Sequence, residues 1–285
     1  MVAGGPPEAA NPLDGCLHVF LDLGSNRGLQ IRKLYQPHLY PLAPILPLYQ
    51  QYFGPPDQRN LQELCTVAFE PNPAHADHLK ALAANYSTCG IRVVIMEAGV
   101  GARDMVGTFA PDLTFQEEEV VHAMTARFLP TNQTLDTLKE THALSGSEVL
   151  QVQVVRVARF ITDVVAKRRL PVTAEVVTPK VVVKCDIEGG ELEVVTDLVV
   201  TGALGVIDNL HMEWHGVQGP GFTRTGAEAE MIDTLEEAVT RVGEVTTRLG
   251  VEGKVVVEEL DDETYSGLAV YSLFGDYSTL PVPTC

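Results

Sequence analysis

From residue 17 onward, short apolar runs alternate with segments of helical period, the pattern of a parallel sheet with helices on its faces. Leu17 to Leu23 predicts a first strand that runs into a glycine-containing turn at Gly24 to Gly28. Leu64 to Phe69 predicts a second strand ending at Glu70. Asn72 then stands at an N-cap position with Pro73 in the first helical place, and Leu79 and Leu82 mark the buried stripe of the helix that follows. Ile91 to Met96 predicts a third strand, Val152 to Val157 alternates like an edge or hairpin strand, and Phe160 to Arg168 reads as a short helix. Val181-Val182-Val183 predicts a buried strand that ends on Lys184-Cys185-Asp186, followed by a helix with Leu192, Val195 and Val199 on one face. Gly205 to Glu213 predicts a further strand, and residues 227 to 242 an amphipathic helix carrying Met231, Leu235, Ala238 and Val242. Lys254 to Glu258 and Leu268 to Phe274 predict two strands around the acidic turn Asp261-Asp262-Glu263.

One segment interrupts this rhythm. Six of the 18 prolines lie between Pro37 and Pro56, and four of the eight tyrosines between Tyr35 and Tyr52. Such proline density forbids a long helix, so residues 36 to 60 are expected to form an inserted, aromatic-lined loop, either a surface lid packed by its own tyrosines or a wall of a ligand pocket. Gly107 to Val149 is polar and mixed, with Glu117-Glu118-Glu119 as a solvated patch. With no internal repeat and no Gly/Ser linker, a single domain over 17–275 is expected, between tails at 1–16 and 276–285.

Charge narrows the function. The 285 residues carry 20 Lys+Arg against 38 Asp+Glu, a formal charge of −18, and the densest basic run is only Lys167-Arg168-Arg169. A grip on nucleic acid or on an anionic membrane needs clustered cations. No stretch approaches the roughly 20 apolar residues of a membrane-spanning helix, and Met1 to Pro7 lacks the features of a signal peptide, which together predict a soluble, cytoplasmic chain. Cys16, Cys65, Cys89, Cys185 and Cys285 are odd in number and irregular in spacing, and are expected to be mostly free thiols in a reducing compartment. Asn85-Tyr86-Ser87 and Asn132-Gln133-Thr134 fit the glycosylation pattern, which also arises by chance.

Three constellations carry candidate chemistry. In Asp22-Leu23-Gly24-Ser25-Asn26-Arg27-Gly28, the glycines let backbone approach a ligand at the mouth of a parallel sheet, and the strand-end acid suits a cationic or amino-bearing group. The spacing is not that of the G-x-G-x-x-G dinucleotide turn, and an ordinary strand-to-helix turn explains it as well. Glu70 closes the second strand, where an acid can accept both hydroxyls of a ribose. Lys184-Cys185-Asp186-Ile187-Glu188-Gly189-Gly190-Glu191 pairs with Glu213-Trp214-His215. Residues two apart in a strand share a face, so Asp186 aligns with Glu188 and Glu213 with His215; if these are neighbouring strands, three carboxylates and an imidazole meet at one sheet edge, where they would bind a divalent metal or deprotonate a hydroxyl. A Lys184 to Asp186 ion pair, or Glu191 on an exposed first helical turn, is the plainer reading of single members.

Together these motifs, from Val19 to Gly28, Phe69 to Pro73, Val183 to Glu191 and Glu213 to His215, resemble the FkbM family of S-adenosylmethionine-dependent methyltransferases over roughly residues 17 to 275. The resemblance implies an α/β class I methyltransferase fold, a Rossmann-like three-layer sandwich whose seven-stranded, mostly parallel sheet ends on an antiparallel strand. It implies that Asp22, Gly24, Asn26 and Gly28 cradle the methionine end of the cofactor, that Glu70 holds its ribose, and that Ala98, Gly99 and Val100 lie near the adenine. The insertion at 36–60 departs from the family, and Gly189-Gly190-Glu191 replaces its usual Gly-Ala-Glu.

The function this implies is O-methylation of a small hydroxylated acceptor, a sugar or glycan by the family's habit. His215 is the expected base, oriented by Glu213, with Asp186 a close second. Asp186 and Glu188 would hold the acceptor, and Asp186 and Glu213 are the candidate ligands of a divalent metal. The rival readings are an NAD(P)-dependent oxidoreductase and a non-catalytic binding module on the same fold.

Overall fold

The Val-rich runs become strands because β-branched residues fit a pleated surface buried on both faces. The structure, a computed structural model, describes residues 10–111, 126–128, 150–214 and 256–259, together with Glu230, Thr234 and Glu237. In chain order the strands are β1 (His18–Leu23), β2 (Leu64–Phe69), β3 (Arg92–Met96), β4 (Gly99–Gly101), β5 (Met105–Pro111), β6 (Ala126–Phe128), β7 (Leu150–Arg156), β8 (Val181–Cys185), β9 (Asn209–Met212) and β10 (Val256–Glu259). The helices are α1 (Leu29–Tyr35), α2 (Leu46–Phe53), α3 (Pro73–Thr88), α4 (Val157–Phe160) and α5 (Glu191–Thr201).

Among the described residues six strands form the main sheet in the order β10-β9-β8-β1-β2-β3, every described pairing parallel. Register sorts the side chains. Val19, Leu21 and Leu23 of β1 share one face with Val181, Val183 and Cys185 of β8 and with Leu210 and Met212 of β9, and pack against Val157, Ile161, Val165, Val194 and Leu198. On the other face, Phe20 and Val182 meet Leu34 of α1 and Leu48, Tyr49 and Phe53 of α2, while Ala68 meets Ile31, Leu79 and Leu82. The result is an α/β sandwich of three layers around a parallel sheet. A smaller sheet, β4-β7-β5-β6, is mixed: β4 runs parallel to β7, and β5 antiparallel to both β7 and β6. It takes in part of the stretch that lacked a legible pattern.

The N-cap reading of α3 holds: Asn72 Oδ1 accepts from the Ala74 N–H at 3.0 Å, with Pro73 behind it. Other expectations change. The insertion at 36–60 is neither a lid nor a bare loop. It folds into a 3₁₀ turn at Pro37–Leu39 and the helix α2, and its Tyr40 and Tyr49 are buried in the core, Tyr49 edge-on to Phe20 at 5.3 Å. Its prolines sit at turn and first-turn positions, where the missing N–H costs no hydrogen bond. The strand expected from Gly205 begins only at Asn209, because Ala203–Val206 closes a 3₁₀ turn behind α5. The helix expected from Phe160 starts at Val157 and continues as a π turn over Ile161–Val165. Strand β10 is parallel to β9; the strand expected at 268–274 and nearly all of the helix at 227–242 lie outside the described residues.

The cysteines also depart from expectation. Cys16 and Cys65 are joined in a disulfide with a Cα–Cα distance of 5.8 Å, buried between the start of β1 and the second residue of β2, and Cys89 is disulfide-bonded as well. Among the described residues only Cys185 is free, and its burial pushes the thiol pKa well up. The basic run at 167–169 is structural: Arg168 donates to the carbonyls of Cys16, Leu17 and Val165, Arg169 pairs with Asp14, and Lys167 with Asp163. No described helix is long and apolar enough to cross a membrane.

Candidate functional site

In an open parallel sheet, ligands favour the carboxyl edge where successive connections leave in opposite directions. Here that place lies between β1, whose next strand is on one side, and β8, which flanks it on the other. The loops at this edge are tied to one another by backbone. Gly24 and Ser25 donate to Phe69 O at 3.1 and 2.9 Å, Glu70 to Met96 O at 3.0 Å, Asp186 to Leu23 O at 3.1 Å and Glu213 to Cys185 O at 2.9 Å.

The turn after β1 needs its glycines. Gly24 has φ +80°, and a Cβ there would stand 1.8 Å from the carbonyl oxygen of Asp186. Gly28, at φ +75°, opens α1 against Leu82, whose Cδ2 would be 2.7 Å from a Cβ. Close packing within the chain therefore accounts for both glycines, whatever ligand the turn also meets. Asn26 between them takes the left-handed conformation, at φ 50°.

Glu70 holds this turn from the neighbouring strand. Its Oε2 accepts from the Asn26 N–H at 2.7 Å and its Oε1 from the Asn72 N–H at 2.8 Å. Burial pushes its carboxyl up to about 7, against the two backbone N–H groups that favour the charged form. A carboxylate has roughly four acceptor positions, so both oxygens keep capacity for hydroxyl donors.

Beneath the turn runs a buried polar row. Asp22, Lys184 and His211 are paired in register across β1, β8 and β9. Lys184 Nζ donates to Asp186 Oδ2 at 2.8 Å and to the Gly24 carbonyl at 3.0 Å, and lies 3.9 Å from Asp22 Oδ1. Burial works to lower the lysine pKa, but the Asp186 and Asp22 charges outweigh it and hold the ammonium firmly protonated. Asp22 is fully buried. Among the described residues neither of its carboxylate oxygens accepts a hydrogen bond, and the nearby Ser25 hydroxyl donates to the Asp22 carbonyl at 3.0 Å. Burial raises its pKa to about 6 although Lys184 opposes this. His211 has no hydrogen-bond partner on either ring nitrogen among the described residues, and burial depresses it to about 3, so it is neutral at ordinary pH.

The loop after β8 corrects the expected alignment of acids. β8 ends at Cys185 and β9 at Met212, so strand alternation does not reach Asp186 and Glu188, or Glu213. Glu188 instead adopts φ 61°. Glu191 is not on an exposed turn: it is buried, with Oε1 accepting from the N–H of Ile187 and of Gly189, both at 3.1 Å, so it ties the loop back onto the start of α5. Asp186 takes the Lys184 ion pair that was its plainer reading. Glu213 is part-exposed and Trp214 buried beyond β9, and His215 lies outside the described residues. No group of three or more His, Cys, Asp or Glu within reach of a metal occurs among the described residues.

Of the residues expected near an adenine, Ala98 is buried just past β3 and donates to Met96 O at 2.8 Å, while Gly99 and Val100 belong to β4 and pair with β7. The Val100 side chain packs into the main core. Sequence reading missed His211 and saw Lys184 only as a partner of Asp186. Their signal was weak: each is a single polar residue inside an apolar strand, and only register reveals that they stand beside Asp22.

No family model, no curated protein and no solved structure matches the chain.

Proposed function

We propose that the chain is an S-adenosylmethionine-dependent methyltransferase acting on a hydroxyl of a small acceptor, with a sugar as the favoured class. The observation that carries this reading is Glu70: a buried carboxylate at the tip of β2, aimed by two backbone N–H groups at the glycine turn beside the switch point. That is where a ribose diol would be accepted in a parallel α/β sheet. The buried Asp22 carboxylate beneath the same turn, whose oxygens accept no hydrogen bond among the described residues, supports a cationic ligand.

In this reading Asp22, Gly24, Asn26 and Gly28 hold the amino-acid end of the donor and Glu70 its ribose, with Ala98, Gly99 and Val100 bordering the base. The bound donor supplies an activated methyl group on a sulfonium, so the chain's own contribution is mainly positioning. His215, oriented by Glu213, takes the acceptor hydroxyl proton. Asp186 is committed to Lys184, which leaves it a positioning part, and Glu188 faces the acceptor from the same loop.

Calorimetric titration with S-adenosylmethionine, S-adenosylhomocysteine and NAD tests the reading, followed by labelled-methyl transfer to a panel of sugars and polyols with and without chelator. Binding of the first two, abolished by Glu70→Ala, is the expected result. Binding of NAD alone overturns it in favour of a dehydrogenase, and donor binding without transfer to any acceptor reduces it to a binding module.

A further inference from the structure

The cysteine pairing and one glycosylation triplet lie together, away from the site. Cys16 immediately precedes β1 and Cys65 is the second residue of β2, so their disulfide sits at the amino edge of the sheet. The helix α3 leaves the carboxyl edge at Asn72 and crosses back before β3 begins at Arg92, which brings its last turn to that same amino edge. Asn85, in the triplet Asn85-Tyr86-Ser87, is on this turn, and Cys89, itself disulfide-bonded, follows it.

We propose that the chain matures in an oxidising, glycosylating compartment and that Asn85 carries an N-linked glycan on the pole opposite the candidate site. Of the four cysteines among the described residues, three are oxidised, which thiol-reducing cytosol does not sustain. Closing the Cys16–Cys65 bond removes two protons and two electrons from two thiols, and an exchangeable disulfide carrier of the compartment takes them up. In the modification, the Asn85 side-chain nitrogen bonds to the anomeric carbon of an oligosaccharide carried on a lipid diphosphate. The bond from that carbon to the diphosphate oxygen breaks, the lipid diphosphate leaves, and the amide proton passes to solvent.

The folded chain accommodates the product. Asn85 is part-exposed between exposed Ala84 and Ser87, and its side-chain amide makes no hydrogen bond among the described residues; its backbone carbonyl accepts from the Thr88 hydroxyl at 2.7 Å. The buried neighbours, Leu82 and Tyr86, hold the helix to the sheet without it. Because Asn85 stands 13 residues beyond Asn72 along α3, about 20 Å at 1.5 Å per residue, a glycan there leaves the carboxyl edge open. The compartment differs from the cytoplasmic expectation of the sequence.

The test is secretion of the full chain from a eukaryotic host behind a cleavable leader, with a non-reducing peptide map and enzymatic deglycosylation in heavy-oxygen water. The expected result is a Cys16–Cys65 linked peptide and an isotope-marked aspartate at position 85. Asn85→Gln and, separately, Ser87→Ala each remove that mark while the far-ultraviolet spectrum is retained. A secreted, folded chain with Asn85 unmodified overturns the glycan, including the outcome in which only Asn132 is marked. Free alkylation of Cys16 and Cys65 in that chain overturns the compartment.

Discussion

Lys184 and Asp186, two residues apart, form a 2.8 Å ion pair across the end of β8, and the same ammonium reaches the Gly24 carbonyl, just past the end of the neighbouring β1, at 3.0 Å. One side chain thus ties the loop after β8 to the glycine turn after β1. Removing it leaves the buried Asp22 without its compensating charge. Lys184→Met is expected to lose about 3–5 kcal/mol of stability, measured by urea unfolding. Adding Asp22→Asn should recover part of this, because a neutral amide needs no counter-ion.

Glu70 makes stability depend on pH with a definite sign. Its carboxyl is raised from 4.5 to about 7 in the folded chain, so between those values the native state binds more protons than the unfolded one. Stability is then expected to fall as pH rises through this window, by roughly 3 kcal/mol in total. Asp22 adds a fall of the same sign between 3.8 and about 6. Glu70→Gln should therefore flatten the curve between about pH 4.5 and 7, most cleanly above pH 6 where Asp22 no longer contributes, and an unchanged slope there would refute the burial argument.

Two glycines with the same backbone angle separate conformation from crowding. Gly24 and Gly54 have φ +80° and +82°, but a Cβ at Gly54 meets nothing within 4 Å, whereas at Gly24 it collides with the Asp186 carbonyl. Gly54→Ala should cost about 1–3 kcal/mol, the penalty of its backbone conformation alone, at φ 82° and ψ 171°. Gly24→Ala should cost clearly more and disturb the site. Equal losses in chemical denaturation would remove the close approach as the reason for this glycine.

Reduction tests the disulfide energetically. Cys16 and Cys65 are 49 residues apart, and closing a loop of that size lowers the entropy of the unfolded chain by the equivalent of about 4 kcal/mol. Thermal unfolding with and without a phosphine reductant, under conditions where the buried bond is opened, should show a loss of that order. The Cys16→Ala, Cys65→Ala double variant should be insensitive to the reductant.

Glu191 should matter to the loop more than to the chemistry. Glu191→Ala releases the N–H groups of Ile187 and Gly189, at an expected cost of about 1–3 kcal/mol, with faster amide exchange confined to residues 187–190.

The legibility of this chain follows from where each signal is local. Strands β1, β2, β3 and β8 were readable because Val, Leu and Ile runs between turn residues need no partner to be recognised, and Asn72-Pro73 announced α3 through cap chemistry confined to a few residues. The insertion misled because its prolines and tyrosines carry no periodicity, although Tyr40, Tyr49 and Phe53 supply part of the core. The acids after β8 misled for another reason. Alternation was extended past the last paired residue, where Glu188 turns left-handed and Glu191 folds back onto the backbone. The Asp22, Lys184 and His211 row was invisible because it is created by strand register alone.

The Cys16–Cys65 bond also changes what a break in the chain would mean. It closes β1, α1, the proline-rich stretch, α2 and the start of β2 into one covalent ring. A single cut beside Gly54 opens that ring without creating two molecules, since strands β1 and β2 stay bonded to each other at one end and paired along their length. The segment richest in proline is in this sense the place where the polypeptide can acquire new ends while the central pair of strands keeps its partners.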